Sequence, residues 1–450
     1  MKKNDHPNVI VFFTDQQRWD TSGLYGNTMD ITPNFDRMAL EGTHCYYGFT
    51  PQPVCLPARS CLQTGRYASE LNIFNNSGAL PKDSQTLGKL FKESGYRTGY
   101  IGKWHMCQEE PVPKNLRKGY DYWLGANELE FTSDAYKTSL YDDEGSLLHF
   151  PGYRVDALTD CAIDFIVQER NAPFFLFLSY LEPHFQNTRD DYPAPYGYEE
   201  KYIDAWTPPD LKALPGSAER HLPGYYGVVK RLDEAFGRIY DVLISEKIRD
   251  NTIVLYASDH GCHFKTRNSE YKRSCHDASI RVPIAMTGSI FSYGGRLNKM
   301  ISLVDIPPTL LDACGIDIPK DMRGSSIIPL VKRENIEWPD YVYSEICCDD
   351  ELFLSLRTKR WKYCVKANLH FSECGGHAKE YKEYILYDLK ADPWEMNNIV
   401  GSNSHRKVCD VLKEKLLDHL KEIGRVDFKI FNADKVVKQQ FCVAADEEMQ

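Results

Sequence analysis

The sequence predicts an α/β fold, a large mixed, mostly parallel sheet sandwiched by helices, followed by a smaller C-terminal α+β domain. Three observations carry this expectation. From Asn8 to about Glu345, short β-branched or aromatic runs alternate with longer segments of helical period, the pattern of a sheet covered on both faces. The chain has 450 residues, 42% apolar and 26% charged, which is too long for one ordinary core and far from a disordered composition. Beyond Glu345 the alternation gives way to short strand-like pieces, so the expected domains are residues 1–345 and 346–450.

The expected strands of the sheet are Asn8 to Phe13, Arg97 to Ile101, Phe174 to Ser179 and Thr252 to Ala257. Between them, Leu87 to Ser94 and Leu158 to Arg170 place apolar residues at spacings of three and four, as amphipathic helices do. Tyr225 to Ser245 repeats Val228, Leu232, Phe236, Ile239 and Leu243 near helical period and feeds the Thr252 strand. In the C-terminal part, Leu352 to Arg357 and Trp361 to Val365 read as strands and Asn403 to Ile423 as a helix. The tail Val436 to Gln450 has no clear period, which leaves it free to pack late or stay mobile. Neither an internal repeat nor a low-complexity tract is present.

A formal net charge of -10 repels phosphate backbones and anionic membranes, so nucleic acid and membrane are not expected partners. The apolar run Val9 to Phe13 is too short for a signal-peptide core, and no stretch approaches a membrane span. A soluble, cytoplasmic protein is the expectation. The 14 cysteines are scattered, include the adjacent pair Cys347-Cys348 and form no double CxxC array; they read as reduced thiols.

The strands end in polar clusters, where open parallel sheets place their ligands. Asp15-Gln16 follows the first strand, Lys103-Trp104-His105 the second, His184 the third and Asp259-His260 the fourth. Asp15, Gln16, Asp259 and His260 offer two carboxylates, an amide oxygen and an imidazole, a set suited to one hard or borderline divalent cation: calcium first, with magnesium and manganese also admissible. Lys103 and His105 are two residues apart, so in extended backbone both face one pocket. In Cys55-Leu56-Pro57-Ala58-Arg59, the proline suits a helix first turn and sets the cysteine against free backbone N–H groups. Arg59, one turn on, is placed to face the same anion with paired donors. A buried, unreactive cysteine is the plainer alternative for Cys55 taken alone.

Cys55-x-Pro57-x-Arg59 with Thr64-Gly65 resembles the modification motif of the type I, formylglycine-dependent sulfatases of the alkaline-phosphatase-like superfamily, and Gly95 to His105 resembles that family's second signature. Thr14-Asp15-Gln16, Pro183-His184, Ser258-Asp259-His260-Gly261, Lys272 ahead of Arg281-Val282-Pro283, and the segments at Asp305, Arg323, Tyr387 and Asp392 follow in family order. The resemblance implies that a maturation enzyme converts Cys55 to formylglycine, whose hydrate attacks a sulfate ester and leaves a sulfate hemiacetal that then collapses. It also implies that Asp15, Gln16, Asp259 and His260 hold the metal and that Arg59 stabilises the hydrated formylglycine. His105 then collapses the hemiacetal and Lys103 binds a sulfate oxygen, while His184 and Lys272 flank the leaving oxygen. Gln16 stands where the family more often has an acid, which leaves one negative charge fewer for the cation. The implied substrate is a sulfated sugar or an aryl sulfate, and homo-oligomerisation is left open. A phosphonate monoester or phosphodiester hydrolase of the same superfamily is the nearest rival reading, and a catalytically silent binder of sulfated glycans is a more distant one. The loops Leu71 to Pro81, Gln108 to Tyr122, Asn127 to Phe150 and Phe185 to Pro208 are the expected walls on the alcohol side.

Overall fold

Strand β1 (Asn8–Thr14) is buried along its whole length. Its side chains alternate between two cores: Val9, Val11 and Phe13 enter one, and Ile10 and Phe12 enter the other. A strand that is apolar on both faces must lie in the middle of a covered sheet, and β1 does. A computed structural model describes residues 6–168 and 171–434. Among these, ten strands form one mixed sheet: β1, β2 (Thr43–Phe49), β3 (Arg97–Lys103), β4 (Tyr122–Ala126), β5 (Thr138–Tyr141), β6 (Leu147–Phe150), β7 (Phe174–Ser179), β8 (Thr252–Ser258), β9 (Ile284–Thr287) and β10 (Gly295–Ser302). Their order is β10-β2-β9-β8-β1-β7-β3-β4-β5-β6. The central run from β8 to β4 is parallel, and β9, β5 and β6 bring in antiparallel pairs.

The expected strands fall within β1, β3, β7 and β8 and run one or two residues longer at the carboxyl end in three of them. Two expected helices start earlier than their periodicity suggests. One spans Arg154–Val167, because Val155 joins Leu158 on the buried face; the end expected at Arg170 lies outside the described residues. The other spans Ala218–Ser245 and carries Pro223 inside it. Proline removes one ladder hydrogen bond there, and burial of Leu222, Tyr225 and Tyr226 in a separate aromatic cluster offsets the loss.

A second sheet of five strands, β11 (Tyr341–Cys348), β12 (Glu351–Thr358), β13 (Trp361–Ala367), β14 (Glu380–Asp388) and β15 (Lys429–Phe431), is followed over its face by helix Arg406–Glu422. It begins at Tyr341, so the boundary expected at residue 345 falls inside β11. Leu354, Leu356, Trp361 and Tyr363 join the same apolar cluster as Val9 and Phe13. The two sheets therefore share a core. The tail from Val436 lies outside the described residues.

Buried charge also joins them. Asp277, which opens the short helix Asp277–Ile280, receives Arg357 of β12 at 2.9 Å and Lys362 of β13 at 2.6 Å, and Lys362 reaches Glu395 as well. Burial alone would raise the Asp277 carboxyl, but Arg357 and then Lys362 outweigh it and hold the group well below the usual carboxylate range. A carboxyl depressed in this way stabilises the fold above its ordinary pKa and loses that contribution as pH falls towards the folded value. Replacing Asp277 with alanine leaves two buried cations short of a partner and should cost about 3–5 kcal/mol in urea unfolding near neutral pH. The gap from the wild type should narrow as the pH drops below the ordinary carboxylate range.

Candidate active site

The register of the central strands sets the site. Phe13 of β1 pairs with Ser179 of β7, Thr14 with Ser258 of β8, and Gly102 of β3 with Ser179. Asp15, Lys103, His184 and Asp259 therefore leave the sheet on one edge. Gly102 has φ +104, and a Cβ there would meet the Ser179 carbonyl oxygen at 1.9 Å. Only glycine fits, and its left-handed backbone turns Lys103 and His105 into the pocket.

Helix Cys55–Thr64 ends its N-terminal turn in this pocket, with Cys55 as its first residue. The sulfur is the point of convergence. Lys272 Nζ lies 2.9 Å from Cys55 Sγ, His260 Nε2 3.4 Å, Asp15 Oδ1 3.7 Å and Lys103 Nζ 3.9 Å. Burial opposes ionisation of the thiol, but Lys103 and Lys272 outweigh it, and His105 and His184 add to them, so the thiol sits well below its ordinary range.

On one side of the sulfur, Asp15, Asp259 and His260 bring ligand atoms within 4.8 Å of one another and of Cys55. The His260 ring is oriented by Nδ1, which faces the Gly261 carbonyl at 3.0 Å and leaves Nε2 towards the cluster. Gln16 donates from Nε2 to Cys262 Sγ (3.2 Å) and Tyr192 OH (3.4 Å), while its buried Oε1 has no partner. Asp259 Oδ1 accepts from the Gln16 and His260 backbone N–H groups, and its buried Oδ2 accepts no hydrogen bond. Burial and then the Asp15 charge push the Asp259 carboxyl up to about 6. Two acids forced together beside an imidazole nitrogen, with oxygens left unpartnered on a buried amide and a buried carboxylate, fit a hard or borderline divalent cation.

On the other side lie the cations and imidazoles. Lys272 Nζ is 3.2 Å from both His184 Nε2 and His260 Nε2. His184 Nδ1 faces the Phe185 carbonyl at 2.7 Å, so Nε2 is the nitrogen left for chemistry. His105, 3% exposed, lies beside the Cys55 sulfur, and its Nε2 is 3.7 Å from Glu128 Oε1.

Arg59 is oriented differently from the expectation. Instead of facing an anion with paired donors, its guanidinium donates to Asp15 Oδ2 (3.0 Å), the Lys103 carbonyl and Ser179 Oγ, and lies 3.5 Å from Asp259 Oδ2. The reason is charge balance, because the two neighbouring acids are the stronger attraction in a buried site.

The sequence model of the family described as Sulfatase matches residues 7–316, more than half of the chain. The chain belongs to the sulfatase family. A second family model, N-sulphoglucosamine sulphohydrolase, C-terminal, matches residues 269–422. An ulvan-active sulfatase of Formosa agariphila is 28% identical to this sulfatase, over 93% of this chain and 82% of the relative. An N-acetylglucosamine-6-O-sulfatase of Bacteroides thetaiotaomicron is 26% identical, over 96% and 89%. Among solved structures, a putative sulfatase from Bacteroides fragilis superposes with a TM-score of 0.83 at 24% identity, covering 94% of this chain and 97% of that one. The fold is that of the sulfatases, and the activity is hydrolysis of sulfate esters.

A cavity of about 300 Å³ opens over Cys55, His184 and Lys272 in this sulfatase. Asn76, Glu130 and the segment Phe185 to Asp190 bring three of the four expected loops to its wall. Gln108 to Tyr122 does not line it; Gln108 instead braces the Asn76 loop by donating to the Asn76 and Gly78 carbonyls. Its place is taken by the Lys265 to Arg273 loop, in which the family resemblance marked Lys272 and strand-end reasoning marked nothing. Glu130 was also missed, since a lone acid in a short helix has no periodic signal. Removing either carboxylate, as in Asp15→Ala or Asp259→Ala, should weaken divalent-cation binding by at least ~100-fold in calorimetry, because even outer partners of a metal site typically cost 10–100-fold.

Proposed function

We propose that this sulfatase removes sulfate from a sulfated saccharide, using a formylglycine made from Cys55 and one divalent cation, calcium ahead of magnesium or manganese, held by Asp15, Gln16, Asp259 and His260. The observation that carries the reading is the position of Cys55 Sγ, at a helix N-terminus between an oxygen-rich cluster and the Lys272 ammonium. The saccharide is supported by the names of the two relatives, an ulvan-active sulfatase and an N-acetylglucosamine-6-O-sulfatase, and by the polar walls of the cavity.

When present, the formylglycine hydrate beside the cation supplies an attacking hydroxyl and a second hydroxyl through which sulfate is released. The chain supplies the rest. Lys103 and Lys272, both buried, meet the sulfate oxygens with positive charge, and such contacts strengthen away from bulk water. Lys272 also sits within reach of the bridging oxygen, and its contact with His184 Nε2 gives a donor and an acceptor for the proton the leaving alcohol needs. His105, buried beside the Cys55 position, is placed to take the proton from the second hydroxyl. Arg59 neutralises Asp15 and Asp259 so that a sulfate can approach. Because Cys55 is 1% exposed, the maturation enzyme must reach it before the chain closes around it.

Cys55→Ala should keep the circular dichroism spectrum and lower kcat by roughly 10³-fold or more, as loss of a covalent nucleophile does. Peptide mass spectrometry of active protein should show formylglycine at position 55; full turnover with an intact thiol there overturns the reading. In parallel assays, a sulfate ester should be cleaved faster than a phosphonate monoester and a phosphodiester. A phosphorus ester cleaved faster by orders of magnitude assigns the site to the rival activity.

A further inference from the structure

Glu130 belongs to the wall of the same cavity but not to the cation cluster. It sits in the short helix Leu129–Thr132 and is turned inward, 4% exposed, while the next residue, Phe131, is 61% exposed. Lys103 Nζ donates to Glu130 Oε1 at 2.9 Å, and the same ammonium lies 2.9 Å from Asp15 Oδ2. The other carboxylate oxygen, Oε2, is buried and accepts no hydrogen bond from the described residues. This is not slack geometry. The Glu130 carbonyl accepts from Gln186 Nε2 at 2.6 Å, and Gln186 Oε1 in turn accepts from Arg154, which is ion-paired to Glu182 at 2.8 Å. The backbone bearing the acid is thereby tied to the segment bearing His184.

A carboxylate paired to a lysine is an acceptor only, with lone pairs on both oxygens. Leaving one of those oxygens buried without a donor is costly, and the cost is relieved if a ligand in the cavity brings the donor. A sulfate group cannot do so, since its oxygens are acceptors and carry the same sign of charge. Of the two halves of the substrate, the alcohol is the one able to bring that donor.

We propose that Glu130 is a specificity-determining residue: Oε2 accepts a hydrogen bond from a hydroxyl or amino group that the substrate carries beside its sulfate ester, while Oε1 holds Lys103 at the sulfate. The assignment rests on the sulfatase reading of the cavity and adds to it the class of alcohol preferred, one bearing a neighbouring donor. The same charge disfavours a second anionic group at that position. A site built around an acceptor discriminates strongly against substrates that leave it unpaired.

The test compares the wild type with Glu130→Gln on 4-nitrophenyl sulfate, which has no neighbouring donor, and on a set of monosaccharide sulfates with free hydroxyls flanking the ester. The wild type should prefer a sugar sulfate, and Glu130→Gln should lower the sugar-to-aryl ratio of kcat/KM by roughly 10- to 100-fold, the worth of a hydrogen bond to a charged group. Independently of any variant, the wild type should lose a similar factor on the deoxy analogue of its best sugar sulfate that lacks the flanking hydroxyl. Equal losses on both substrates in Glu130→Gln, or a deoxy analogue cleaved at the parent's rate, overturn the assignment and leave Glu130 a support for Lys103. A wild type that cleaves the aryl sulfate but none of the sugar sulfates overturns it too. Activity towards neither class sinks the sulfatase reading itself and this inference with it.

Discussion

The site depends on burying like charges together. Asp15 and Asp259 are fully enclosed at the ends of adjacent strands, and each alone would be expelled or neutralised. What keeps them is a counter-charge lattice in which Arg59 binds both, Lys103 binds Asp15 and Glu130, and Lys272 stands beside His260 and the sulfur. Three acids face three bases before any cation or sulfate enters. Each functional contact is thus also a term in the charge balance, which is why Arg59 turns to the acids and why a glutamate is tolerated within the anion pocket.

Much of the fold was legible because the central strands are apolar on both faces. Val9 to Phe13, Phe174 to Leu178 and Ile253 to Ala257 divide residue by residue between the two cores, and uninterrupted runs of that kind have few other homes. The polar residues that follow them then had to converge at one edge, so Asp15, Lys103, His184 and Asp259 could be named from position alone. The peripheral strands carried weaker signals. β5 and β6 are four residues each, and β6 is largely exposed; β10 pairs with β2 through a register shift between Leu297 and Met300 that breaks its alternation.

Within the site, sequence spacing placed residues but not their directions. That Arg59 lies one turn beyond Cys55 follows from the helix; that its guanidinium turns to two carboxylates from distant strands is a tertiary fact. Glu130 has no neighbour in sequence that marks it, and its meaning comes from Lys103, 27 positions away. The start of the second sheet was blurred for a related reason. Tyr341 to Glu345 packs into the shared apolar cluster and into contacts such as that of the Glu345 backbone N–H with the Pro51 carbonyl, so composition shows no seam there.

The Lys272 loop has a further consequence. Arg267 donates to the carbonyls of Trp394 and Glu395, and Asp277 is gripped by β12 and β13, so the ammonium nearest the sulfur is moored on both sides to the C-terminal part of the chain. The carboxyl-terminal part is a scaffold for turnover as well as a cover for the core. Exchange of that part between related enzymes, by recombination or by design, preserves a working centre only where the crossover carries Arg267 and Asp277 along with the loop and strands that hold them.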